Sequence, residues 1–468
     1  LRTKLFAVIL GTYGVGLISV LLNFNSLVLV VISLGIPLGL TKFVSRWESE
    51  GNWKSIKDTV GRLTMLMIVI SVPLSVLTIL FAKQISLLIL DSEDFAFFII
   101  ITSIAFPFSA ISTIFDAYIR GLKIFTDYAK ISILNSIISL LISIPCILLW
   151  GLNGAAIFFL LSAVITSFIL IYFLKKRKFF ELQNCFINLF YVPESIKLIF
   201  KIGIVSLIDL ALHQGNAFLI RTSIVHHLGI DENGVYQSIY AISNNYLSLF
   251  SISLWVYFLP VLSEMKDIKD INNEINSAIR FTLLIIFPII SLTFVMREFV
   301  IVVLYSSQFA LASDYLVYNF IGDYIRALAW VLGSWFIPRS KLWLWLSLGI
   351  YFNITYFLIF FILINYIFMD LKSVVIAYAF ANLVHFVLTL HFSRKINNFR
   401  INPDIFRHII ITSICMALIL IISSIDIILG YGVIIPVFVI WLKLCVKKAE
   451  VIKLLELIRF HKLIKMIK

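Results

Sequence analysis

Four basic side chains fall in or beside long apolar stretches of this sequence: Arg2, Lys4, Arg221 and Arg326. A carboxylate, Asp323, stands one helical turn before Arg326. Charge at the centre of a bilayer costs about 2.5–3.5 kcal/mol or more, and it is kept where it pairs with another charge or lines a pathway. Two kinds of chemistry are therefore open. Asp323 and Arg326 can form an (i, i+3) ion pair that lets both be buried, or the arginines can attract a headgroup-sized anion. Asp209 and His213, spaced (i, i+4), either satisfy one another or relay protons for coupled transport.

Uncharged polar residues follow a helical rhythm around the same positions. Gln237, Tyr240, Asn244, Ser248 and Ser251 draw one stripe, and Ser19, Asn23, Ser26 and Ser33 draw its counterpart near the N-terminus. Such stripes act as hydrogen-bond glue between helices, at about 1 kcal/mol or less per bond, or as walls of a hydrated cavity. Cys146, Cys185, Cys415 and Cys445 are scattered, without CxxC spacing or nearby His, so the sequence offers neither a disulfide framework nor a metal site. No P-loop, HExxH or GxSxG is found, and no cofactor is implied. Asn353-Ile354-Thr355 matches a glycosylation sequon but lies within an apolar span.

The elements that must position these residues are membrane helices. The chain is 61% hydrophobic and 13% charged, with a mean hydropathy of +1.05. Its apolar runs reach the roughly 20 residues needed to cross a hydrocarbon core. They lie near residues 15–43, 63–81, 95–117, 131–149 and 155–174. A second series follows near 200–227, 235–259, 281–296, 315–337, 342–364 and 374–391, and a last pair near 405–425 and 427–444.

The two series are copies. Leu1 to Ser45 and Leu219 to Ser263 each carry a basic residue, Leu-Gly, a short turn, Gly-Val and a long apolar run. Gly14 aligns with Gly234, Asn23 with Asn244, and Arg2 with Arg221, at an offset near 219 that persists downstream. The expected fold class is all-α: a polytopic membrane bundle of two repeat-related six-helix halves plus an extra C-terminal pair. Its expected divisions are 1–180, 181–400 and 401–468. The run ahead of Arg221 has no match ahead of Arg2, so an opening helix is expected upstream and an intact chain would have fourteen spans.

Charge placement supports this segmentation. Of the 38 Lys and Arg, 31 fall on alternate loops and the tail, while the opposite side keeps Lys83, Arg297 and Lys372 and gathers acidic residues. The positive-inside rule puts the basic side, and both termini of an intact chain, in the cytoplasm. The excess of +13 then reflects topology and anionic lipid headgroups, not nucleic acid.

The second copy resembles the Wzx-type flippases of the multidrug/oligosaccharidyl-lipid/polysaccharide (MOP) exporter superfamily, in particular the lipid III branch of enterobacterial common antigen synthesis. The likeness is carried by Gly234-Val235-Tyr236-Gln237, Ile242-Ser243, Tyr246-Leu247, the stretch Val256 to Ser263, and Gly322-Asp323 followed by Arg326. In the first copy it rests on Lys4-Leu5, Ala7-Val8, Gly14 to Leu17 and Lys42. It spans about residues 1–391. Arg221, Asp323 and Arg326 match basic, acidic and basic positions of the family pattern; Arg2 does not.

The resemblance implies a MATE-like fold in the plasma (inner) membrane. It also implies outward turning of a polyprenyl-pyrophosphate-linked oligosaccharide by alternating access around a cationic central cavity. Arg221, Arg326, Asp323, Asn23, Gln237, Asn244 and Arg2 would be the substrate-binding set. Asp209 and His213 would be candidates for coupling to H+ or Na+. The implied partners are the lipid-linked substrate, membrane lipids and the polymerases or glycosyltransferases of polysaccharide assembly. A cation-coupled small-molecule exporter of the same superfamily is the alternative, although it would favour an acidic or apolar cavity. An integral-membrane glycosyltransferase or polymerase would need a long outer loop that the sequence lacks.

Overall fold

The computed structural model describes residues 2–179, 194–265 and 267–446. Cys185, Lys266, the boundary at residue 180 and the basic tail beyond residue 446 lie outside the described residues. Sixteen α-helices and no strand occur among the described residues. In chain order the first eight are α1 (Arg2–Ser33), α2 (Ile36–Ser49), α3 (Trp53–Leu80), α4 (Ala82–Leu90), α5 (Ala96–Ile104), α6 (Phe106–Gly121), α7 (Phe125–Lys176) and α8 (Glu194–Leu228). They continue as α9 (Ile230–Glu264), α10 (Ile268–Val295), α11 (Arg297–Leu304), α12 (Ala312–Gly333), α13 (Leu342–Tyr366), α14 (Lys372–Asn397), α15 (Pro403–Ile425) and α16 (Ile427–Cys445).

Eight of these helices are long and apolar enough to cross a membrane among the described residues, or nine if α5 and α6, bent by 41°, form one span. The chain is thus an all-α, multi-pass membrane protein. The eight do not include α8 and α12, which carry Arg221 and the Asp323–Arg326 pair.

Helix α7 shows how one segment yields two crossings. Its 52 residues would extend about 78 Å at 1.5 Å per residue, against a hydrocarbon core of about 30 Å. Gly151 interrupts it with φ 54° and ψ −127°, a conformation open to glycine and strained for L side chains. The chain reverses there. Thr166 Oγ1 donates to Asn135 Oδ1 at 2.9 Å across the reversal, and a Cβ on Gly154 would collide with the Cys146 carbonyl. Both pairs are centred on Gly151, as the sequence segments 131–149 and 155–174 require. Leu141, Leu148 and Leu149 are left exposed on this hairpin, a surface suited to lipid.

The helices group into two compact units. The first comprises Leu1–Ser238 with Val303–Phe309 and Ile364–Leu371. In its core α2, α3 and α6 bury Val44, Val60, Phe106, Phe115 and Tyr118. The first turns of α9 cross α1 at van der Waals closeness. A Cβ on Gly16 would strike the Ile230 carbonyl, and one on Gly234 would strike that of Thr12. The two contacts interchange when the copies are swapped, the mark of a twofold relationship. The crossing thereby pairs Gly234 with Gly16 and not with Gly14, its partner in the sequence alignment. Gly14 instead faces Leu10 and Leu152. Asn233 secures the crossing by donating to Gly16 O at 2.8 Å and Ser19 Oγ at 2.9 Å.

The second unit comprises Ile239–Val302, Ala310–Leu363 and Lys372–Lys468. Here α12 lies along α14, and α10 packs on α12, α15 and α16. The extra pair α15–α16 is tied to α10 at both ends. At one end Arg297, 6% exposed, donates to Phe294 O at 3.2 Å and Ser423 O at 2.7 Å. These carbonyls belong to the last turns of α10 and α15, which a helix cannot satisfy internally. At the other end Asn276 donates to Arg400 O and accepts from the Asn402 amide at 3.0 and 2.9 Å. Arg280 donates to Cys445 O at 3.0 Å.

Candidate functional site

The first unit buries one guanidinium deeply. Arg221 of α8 is 1% exposed; its Nη2 donates to Gln237 Oε1 at 2.5 Å, and its Cζ stands 5.1 Å from the Tyr236 ring centroid. An amide oxygen and a π face both stabilise positive charge. Gly229, at φ 97° between α8 and α9, turns the chain so that Gln237 can face back to Arg221. Sequence neighbours in the family-like Gly234-Val235-Tyr236-Gln237 stretch thus act on one cation.

The second unit holds a carboxylate with more partners. Asp323 of α12 is fully buried. Ser243 Oγ lies 2.7 Å from both of its oxygens, Tyr246 donates its hydroxyl to Oδ2, and Asn319 Nδ2 approaches the same oxygen at 3.3 Å. Tyr378 of α14 donates to Oδ1 at 2.8 Å and accepts from Arg326 Nη1 at 3.2 Å. The phenol therefore stands between the two charges, in place of the direct (i, i+3) bridge that the spacing allows. Gly322 makes this possible, because a Cβ there would overlap the Tyr378 ring. Arg326 is half-buried, with its guanidinium 4.4 Å from the Trp330 ring centroid one turn further on. A carboxylate accepting several hydrogen bonds beside a cation is a set of groups whose members satisfy one another.

The remaining sequence candidates are placed differently. Arg2 is exposed, donates to Ser139 of α7 at 3.2 Å and lies 5.7 Å from the Phe158 centroid, so its partners are not those of Arg221. The N-terminal stripe is largely turned onto its own helix. Ser19, Asn23, Ser26 and Ser33 donate to Gly16, Ser19, Leu22 and Val30 carbonyls respectively. Ser248 and Ser251 do the same on α9, and Asn244 is half-buried. Asp209 and His213 stand one turn apart on α8, the first half-buried and the second exposed.

Tyr378 escapes sequence reasoning because a tyrosine in an apolar run gives no signal of its own. Ser243 and Tyr246 do carry one: both belong to the family-like motifs, one turn apart on α9. Arg297, counted by its loop with the outer charges, is interior and caps helices.

Residues 6–314 match the model of a family described as polysaccharide biosynthesis protein. The lipid III flippases of Escherichia coli (strain K12) and Shigella flexneri are each 25% identical over 347 residues, covering 72% of this chain and 80% of theirs. Among solved structures, the lipid II flippase MurJ in an inward closed conformation superposes with a TM-score of 0.71 at 17% identity, over 94% of either chain. An inward-facing multidrug resistance MATE family transporter of the MOP superfamily gives 0.67 at 14% identity, over 85% of this chain and 93% of its own. These two likenesses establish the fold, the MATE-like class that the sequence implies.

Proposed function

The chain belongs to the polysaccharide biosynthesis protein family, and we propose that it turns a polyprenyl-pyrophosphate-linked oligosaccharide from the cytoplasmic to the outer leaflet of the plasma membrane. Arg221 is the observation that carries this reading. It is a guanidinium buried in a membrane protein, hydrogen-bonded to Gln237 and beside the Tyr236 ring, and it brings positive charge into an apolar bundle where an anionic headgroup needs it. Arg326 of the second unit, held through Tyr378 beside Asp323, is proposed as a further contact for the substrate.

The relatives' names, lipid III flippase, support the substrate class. Physics supplies the need: a sugar headgroup entering hydrocarbon leaves many polar groups unsatisfied, at several kcal/mol each. Gln237, Asn244, Asn23 and Arg2 are assigned to the headgroup. Asp209 and His213 are the candidates for coupling to H+ or Na+. The distribution of Lys and Arg supports a cytoplasmic position for the basic loops. The product would pass to polymerases or glycosyltransferases at the outer face. A multidrug resistance transporter shares the fold, but Arg221 would repel a cationic cargo.

The test uses proteoliposomes containing a fluorescent polyprenyl-pyrophosphate oligosaccharide. Wild-type protein is expected to expose the label to the opposite leaflet. Arg221→Met should slow this by about 10- to 100-fold, the worth of one charged hydrogen bond, at unchanged protein content. Export of a cationic dye with no lipid transfer would overturn the proposal.

A further inference from the structure

The first unit contains a cavity of about 300 Å³ that the arginine-based reading does not use. It lies where α5 bends into α6 at Ala105, against α1 and the second arm of α7. Its size falls at the lower end of small-molecule sites, about 300–1,000 Å³. No charged residue lines it. Its polar wall includes Asn25, Thr102, Ser109, Thr113, Ser162 and Thr166, and Phe159 and leucines contribute apolar surface.

The hydrogen-bonding state of these groups narrows the ligand. Thr102 and Thr113 already donate to Phe98 and Ser109 carbonyls, at 2.8 Å in both cases, and Thr166 donates to Asn135. Each retains acceptor capacity only. No hydrogen bond is formed by the side chains of Ser109 and Ser162 among the described residues, so their hydroxyls can still donate. Asn25 Oδ1 is buried and has no partner among the described residues, a state that costs about 1–3 kcal/mol until an outside donor reaches it.

A lipid tail would leave these groups unpaired in hydrocarbon. A phosphate or a metal cation would find no opposite charge. A neutral polyol, whose every hydroxyl donates once and accepts twice, meets the mixture, and a ring face can lie on Phe159.

Resting on the flippase reading, we infer that this cavity is a subsite for one uncharged sugar residue of the lipid-linked substrate, held by Asn25, Ser109 and Ser162. The full chain in proteoliposomes is given two fluorescent probes: a polyprenyl pyrophosphate bearing one neutral N-acetylhexosamine, and the bare polyprenyl pyrophosphate. Ser162→Leu fills the cavity, whereas Asn25→Ala removes the amide. Asn25→Ala should slow the sugar-bearing probe about three- to tenfold while the bare probe stays within about twofold, the scale of one lost hydrogen bond. Ser162→Leu should discriminate between the probes more strongly still.

Equal slowing of both probes, or of neither, overturns the subsite while leaving the flippase reading intact. So does wild-type protein that moves only the bare probe. Wild-type protein that moves neither probe overturns both readings. If Ser162→Leu fails to accumulate, Asn25→Ala and Ser109→Ala, which only delete atoms, carry the test.

Discussion

Arg221 and Arg326 are both guanidinium groups on helices of a membrane protein, yet their surroundings differ in kind. Arg221 donates to an amide oxygen and stands beside a tyrosine ring. Arg326 reaches a carboxylate through the Tyr378 hydroxyl, and that carboxylate is itself wrapped by Ser243, Tyr246 and Asn319. The difference teaches that buried charge can serve two ends within one chain. The carboxylate cluster holds helices α9, α12 and α14 together, while Arg221 brings a buried guanidinium to the first unit, where it is proposed to meet the substrate. The first should be felt mainly in stability and the second mainly in transport.

The largest effect should come from Asp323→Ala. It leaves four hydroxyl or amide donors without their acceptor and Arg326 without its counter-charge, a loss of about 3–5 kcal/mol. Thermal unfolding of the purified protein should show a clear fall in midpoint, and the double variant Asp323→Ala/Arg326→Ala should recover part of it. No recovery would mean that the two charges are not energetically linked through Tyr378.

Tyr378→Phe should come next, at about 2–3 kcal/mol, because one hydroxyl serves both charges. Within the first unit, Gln237→Leu should cost about 1.5 kcal/mol, the low end for a hydrogen bond to a charged group. A cost equal to that of Asp323→Ala would erase the contrast between the regions. The smallest change in stability is expected for Arg221→Lys, below about 1 kcal/mol, since the charge is retained and the planar fork is lost. Its transfer rate should nevertheless fall between those of wild type and Arg221→Met; a wild-type rate would show that charge alone matters there.

Much of this contrast was legible in the chain itself. Asp323, Arg326 and Arg221 stand out because charge in an apolar run is rare, and the break around Gly151 is visible as two segments of membrane length. The wrapping of Asp323 was not legible. Tyr378 lies 55 residues from it in sequence, and only the crossing of α12 and α14 at Gly322 brings the phenol into place. The polar stripe of α1 misled for the opposite reason. Helical spacing reveals which residues share a face, but a serine or asparagine can spend its donor on its own helix. Asn25, two residues from Asn23 and off that stripe, is the amide that the fold leaves with an unsatisfied oxygen.

The close crossing of Gly16 and Gly234 carries a historical implication. Had this contact first formed between two separate copies of a half-length ancestor, one codon would have specified both glycines, and any mutation would have struck the interface twice. Fusion of the copies into a single gene released the two positions to drift apart. In the register set by the crossing, Ser19 of one copy corresponds to Gln237 of the other. The serine now accepts from Asn233, and the glutamine faces Arg221. A specialised amide of this kind could not be inherited on one side alone by a symmetric pair of identical chains.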